Sequence, residues 1–116
     1  MGKSILRDKS YDFALKIVKL SRALVSEKRE YVLSKQLLRN GTAVGALIRE
    51  AEFAQSKADF IHKMSISLKE GNETLYWLEL LKDSELIDVE TFNLLHGNCK
   101  ELVAMLVSSI KTSKGK

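Results

Sequence analysis

Two histidines, one cysteine and a scatter of serines and carboxylates are all that this 116-residue chain offers for chemistry. A dinuclear metal site inside a helical bundle takes two Glu-x-x-His pairs pointing inward. His62 and His96 are the only imidazoles, and the nearest match is Asp59 three residues before His62. One such pair cannot close a dinuclear site, so no metal or cofactor is expected. Ser65, Ser67, Ser108 and Ser109 lie within helical runs, without a His and Asp at triad spacing. Glu70, Glu73 and Glu79 could serve as acid or base, yet helix surfaces commonly carry glutamates. Cys99 falls at an apolar helical position, which suits a small core residue better than a nucleophile. As the single cysteine it excludes an internal disulfide and suits a reducing compartment.

The stretch "QLLRNGTAVGALIREA", residues 36–51, holds Gly41 and Gly45 four apart. A phosphate-binding loop needs G-x-x-x-x-G-K-[ST] between a strand and a helix. Here three residues separate the glycines, no lysine follows, and no strand precedes. With Ala43 and Ala46 nearby, the glycines read as a close-packing seam in an unbroken helix. Nothing points to a small-molecule substrate, and no enzyme is expected.

Helical elements must carry these residues. Proline is absent, so nothing removes an amide donor within a long helix. Phe13, Ile17, Leu20 and Leu24 share a face and predict a first helix over 10–27, widened by Ala14, Val18 and Val25. A second helix is predicted over 30–54, with Leu33, Leu37, Val44, Leu47, Ala51 and Ala54 inward. Asn40 sits in that seam, and a polar layer joining Gln36, Arg39, Asn40 and Glu73 is expected to fix register. Ser56 and Asp59 resemble a capping box opening a third helix over 56–82. Its stripe runs Ile61, Met64, Leu68, Gly71, Leu75, Leu78. Leu86 and Ile87 should plug the bundle end, and Asp88 should cap a fourth helix over 88–112. Phe92, Leu95, Cys99, Leu102, Leu106 and Ile110 form its stripe. The polar tail, 113–116, is expected to be flexible. Short turns and four long helices make an all-α, antiparallel up-down-up-down four-helix bundle, one domain over 1–116.

Charge is unevenly spread. Residues 1–39 carry a net +6, residues 40–98 a net −5, and the whole chain +4. Lys9, Lys16, Lys19, Arg22, Lys35 and Arg39 are the candidates for contacting RNA or DNA, or they form a solvated face. Arg39 is also a candidate for the polar layer. Tyr76 and Trp77, about 100° apart on a helix, cannot share one core stripe. One of them packs beneath a neighbouring helix or faces another subunit. No apolar run reaches the ~20 residues of a membrane span, and no secretory leader is evident, so a cytoplasmic protein is expected.

The pieces "QLLRNGT", "SKADFIHKMSISLKE" and "ETLYWLELL", within residues 36–81, resemble the signature of the bacterial four helix bundle proteins, the 23S rRNA-intervening sequence protein family. The resemblance implies an antiparallel bundle that assembles into a homo-oligomeric ring, commonly a pentamer, without enzymatic activity. It also implies nucleic-acid binding, since a related accessory protein of diversity-generating retroelements forms a similar basic barrel. The alternative is a protein–protein scaffold or adaptor. Self-association is thus the first expected partner, RNA or DNA the second, and no membrane partner is expected.

Overall fold

The computed structural model describes residues 2–115, with side chains from Ile5 onward. Helix α1 spans Gly2–Lys28, α2 Val32–Glu52, α3 Lys57–Asp83 and α4 Val89–Lys114. The helices run up-down-up-down in a rod of 47 × 21 × 21 Å. Each packs on the next, and α4 closes the square against α1 more sparingly. No strand occurs among the described residues. The architecture is an all-α four-helix bundle, and its length follows from ~1.5 Å of rise per residue.

The core is filled by one apolar stripe per helix. Phe13, Ile17 and Leu24 of α1, Leu37, Val44 and Ile48 of α2, Met64 and Leu78 of α3, and Leu95, Leu102 and Leu106 of α4 are all buried in one core. On α2 the buried position is Ile48; Leu47 is only half-buried and Ala54 lies beyond the helix end. Leu20, Leu33, Leu68, Leu75 and Phe92 are likewise half-buried at stripe edges. Ser67 and Thr74 instead take fully buried positions on α3. They can do so because each hydroxyl donates to a backbone carbonyl, Ser67 to Val44 at 2.9 Å and Thr74 to Glu70 at 2.8 Å.

The first helix starts eight residues earlier than the periodicity predicts. Ser10, where the predicted helix begins, lies inside it: Ser10 is buried and its hydroxyl donates to the Arg7 carbonyl at 2.9 Å. Leu6, also buried, extends the stripe by two turns. At the other terminus α4 continues through Ser113 and Lys114, where a flexible tail was expected. Gly115 closes it by donating its amide to the Lys111 carbonyl at 2.9 Å. Lys116 lies outside the described residues.

Side chains cap the starts of α3 and α4. Ser56 Oγ accepts from the Asp59 amide at 3.0 Å, and the Asp59 carboxylate accepts from the Gln55 amide at 3.2 Å. The reciprocal bond thus reaches one residue further back than in the usual box. Asp88 accepts from the Thr91 amide at 2.7 Å. Leu86 and Ile87 pack partly buried against the core end. Arg29 turns the chain with φ 54°, and the Glu30 amide returns to the Leu24 carbonyl at 3.0 Å.

These caps give acid sensitivity with a defined sign. The Thr91 backbone amide, and then its hydroxyl, hold the Asp88 carboxyl below its ordinary value of 3.8. The Gln55 amide, then Lys63, do the same for Asp59. A depressed folded value means stability present above about pH 4 and lost as pH falls through the folded value. Asn caps helices as well as Asp but does not titrate. Asp88→Asn should therefore melt like the parent near pH 7, yet lose less melting temperature on acidification. Parallel thermal melts across the acid range test this; coincident pH profiles would refute it.

Candidate functional site

The α1–α2 contact is set by missing side chains. A Cβ on Gly41 would lie 2.9 Å from both Cγ1 and Cγ2 of Ile17, closer than carbon atoms normally approach. One turn on, a Cβ on Gly45 would meet the Ser10 carbonyl oxygen and Oγ at 3.3 Å. Both glycines sit in mid-helix and face α1, so their small size serves packing and presents no phosphate cradle. Gly71 does the same across α3–α4, where an added Cβ would reach Val103 at 3.0 Å.

A polar knot ties α2 to α3. Asn40 is 2% exposed. Its Nδ2 donates to Glu70 at 2.5 Å and to Glu73 at 2.7 Å. Its Oδ1 accepts from Trp77 Nε1 at 2.8 Å. Asn40 and Glu73 are thus joined as expected, but Gln36 and Arg39 take no part among the described hydrogen bonds. Arg39 precedes Asn40, about 100° away around the helix, and is exposed; Gln36 is half-buried one turn away. Glu70 and Trp77 supply the other partners. Their spacing with Glu73, three and four residues, places all three on one side of α3 and is the signal that finds them. Trp77 therefore packs under α2, while Tyr76 points outward, 56% exposed, with its ring edge-on to Trp77 at 5.2 Å.

The chemical candidates are dispersed. Cys99 is fully buried, and burial pushes its thiol up to about 12, far from a reactive thiolate. Its Sγ donates to the Gly71 carbonyl at 3.4 Å. His62 is exposed, whereas His96 Nε2 lies 2.9 Å from Glu79 with its ring stacked on Phe92. No group of three or more metal-ligating side chains occurs among the described residues. Ser65 and Ser108 are exposed on different helices and Ser67 is buried.

The six candidate cations separate into groups. Lys9 pairs with Glu101 at 3.2 Å, and Lys16 donates to Asn98 Oδ1 at 3.1 Å, so both lean over the α1–α4 seam. Lys19 and Arg39 are exposed on the outer surfaces of α1 and α2. Arg22 and Lys35 instead line a groove between α1 and α2 of about 450 Å³, with Val18, Val25, Tyr31 and Leu38. Further along the same face Arg49 stands over the Tyr11 ring at 5.4 Å. Arg49 escapes a count of charges, because its segment is acidic overall. No described helix is long and apolar enough to cross a membrane.

Fold and surface together define a class: a small helical bundle whose distinguishing features are close-packing glycines, a buried polar knot and a basic, partly apolar flank. The model of the 23S rRNA-intervening sequence proteins matches residues 3–108. The chain belongs to that family. It is also similar to a crystal structure of a protein of unknown function from the S23 ribosomal protein family of Bacteroides thetaiotaomicron VPI-5482. That likeness has a TM-score of 0.94 at 51% identity, over 96% of this chain and 99% of the other. A search of curated proteins found no match.

Proposed function

We propose that the protein is a non-enzymatic, cytoplasmic assembly protein that joins copies of itself, as a pentameric ring, and holds RNA or DNA on cations of α1 and α2. One observation carries the nucleic-acid reading. Lys19, Arg22, Lys35 and Arg39 are exposed and form no ion pair among the described residues, although acidic side chains abound elsewhere. Cations left without protein partners are available to phosphates, and their contacts release counterions. A gel-shift titration with single-stranded and duplex RNA and DNA tests the reading. Affinity should fall at least tenfold between about 50 and about 200 mM salt. Lys19→Glu should weaken every sequence alike, as expected of phosphate contacts. Absence of any shift at low salt would reject nucleic-acid binding.

A second reading, a scaffold for another protein, is favoured by the exposed apolar side chains of the α1–α2 flank, Tyr11, Leu15 and Tyr31 among them. A protein captured on the immobilised chain and retained after nuclease treatment would support it over the first.

A further inference from the structure

We infer that a second copy of the chain docks the α3 ridge around Tyr76 and Leu80 into the groove between α1 and α2, so that copies join head to tail. The inference rests on the self-assembly reading and assigns the two surfaces that would carry it.

The groove is apolar where a soluble helix pair would usually be polar. Tyr31 is 59% exposed, and Val25 and Leu38 are exposed beside it. Across the bundle, Tyr76 and Leu80 stand exposed one turn apart on the outer side of α3. Aromatic and aliphatic anchors of this kind are what interface cores collect.

Charge matches the two surfaces to each other and not to themselves. Arg22 and Lys35 border the groove. Exposed Glu79 and Asp83 flank the ridge; Glu79 also lies 2.9 Å from His96 Nε2, with its side chain still half-exposed. The one lysine beside them, Lys82, bends toward α4, its Nζ 4.5 Å from the Phe92 ring and 3.7 Å from Asp83. Among the described residues no carboxylate lines the groove, and Glu30, next to Tyr31, is engaged by the Leu33 amide at 2.6 Å. Groove against groove would set cation on cation, and ridge against ridge anion on anion; groove against ridge pairs them.

Height along the rod agrees. The α1–α2 and α3–α4 turns lie at the same end, because the helices alternate in direction. Residues 22–38 and 76–83 therefore sit near the same level. Side-by-side copies related by rotation about an axis parallel to the rod keep that level and bring the two surfaces together. A contact between unlike surfaces is heterologous, and it closes into a ring when the rotation permits. Lys19 and Arg39, exposed and outside the groove lining, stay available to phosphates, while Arg22 and Lys35 serve the contact between copies.

Light scattering on the purified chain tests this with Leu38→Glu, a groove change, and Tyr76→Lys, a ridge change, both at exposed positions. Wild type should run as a multimer of the 13.1 kDa chain. Each variant should run as a monomer with unchanged helical circular dichroism. Mixed in equal amounts they should give a mass of two chains, since each keeps one intact half of the contact. Arg22→Glu/Lys35→Glu offers a second groove variant that leaves apolar packing untouched and should also be monomeric. If Leu38→Glu dissociates the assembly while Tyr76→Lys does not, groove meets groove and the inference fails. Two variants assembling like wild type would place the contact elsewhere. An assembled Leu38→Glu that has lost its RNA shift would make the groove a nucleic-acid site. A monomeric wild type would overturn the assembly reading itself.

Discussion

Asn40→Asp should cost the bundle about 3–5 kcal/mol near pH 7, a large share of the margin of a domain this size. The substitution is nearly isosteric, so packing changes little. What changes is that the amide giving hydrogen bonds to Glu70 and Glu73 becomes a third carboxylate between them. Two charge-assisted hydrogen bonds are lost, and two repulsions replace them at a position 2% exposed. The Trp77 indole keeps its acceptor. Protonating any of the three carboxylates relieves the repulsion, and the folded state then binds more protons than the unfolded one. Stability of the variant relative to wild type should therefore rise as pH falls, opposite in sign to the capping aspartates. Asn40→Leu separates the two causes: it leaves both carboxylates and the indole unpaired without adding charge, and should cost about 2–3 kcal/mol. Urea titrations of the three proteins at neutral and acid pH measure this. An Asn40→Asp protein as stable as wild type at neutral pH would mean that the knot is not closed in solution.

Gly41→Val should cost about 3 kcal/mol or more, since its β-carbon already enters space that Ile17 fills and two methyls add to it. Gly41→Ala is subtler. The clash of one Cβ with Ile17 costs about 1–3 kcal/mol, while leaving glycine gains about 1 kcal/mol of helix propensity. Destabilisation wins as long as Ile17 is present. Ile17→Ala removes both γ-carbons and by itself costs about 2–5 kcal/mol. In that background Gly41→Ala should become neutral or stabilising, a reversal of sign that a double-mutant cycle reads directly. Gly97→Ala is the control: an added Cβ there meets nothing within 4 Å, so only the propensity gain of about 1 kcal/mol remains. If Gly41→Ala and Gly97→Ala stabilise equally, the seam is not tight.

These expectations bear on assembly as well as on stability. The seam holds α1 against α2, and those two helices make the groove at Arg22, Tyr31, Lys35 and Leu38. A substitution that pushes α1 away would reshape that surface without touching any residue on it. Stability and assembly should therefore be measured together in the Gly41 series.

Periodicity determined the four helices and the short turns their alternation, because burial of an apolar stripe is a local pattern at about 3.6-residue spacing. Caps at Ser56 and Asp88 were equally legible, since the side chain acts on amides two or three residues away. The family, too, could be read from the segment of residues 36–81. The true start of α1 was not, because Leu6 stands alone ahead of the Phe13 stripe, and only packing against α2, where Gly45 faces Ser10, shows that the helix is buried that far back. Nor could sequence separate Arg39 from Asn40 in the polar layer: both are polar neighbours, and only the placement of α3 selects the one that meets Glu70, Glu73 and Trp77. The basic candidates follow the same rule. As letters Lys9 and Arg22 are equivalent cations, but the first is tied to Glu101 on α4 and the second borders an apolar groove. Spacing within a helix fixes which residues share a face. Which face meets which neighbour depends on contacts far apart in the chain, and that was decided by the tertiary structure.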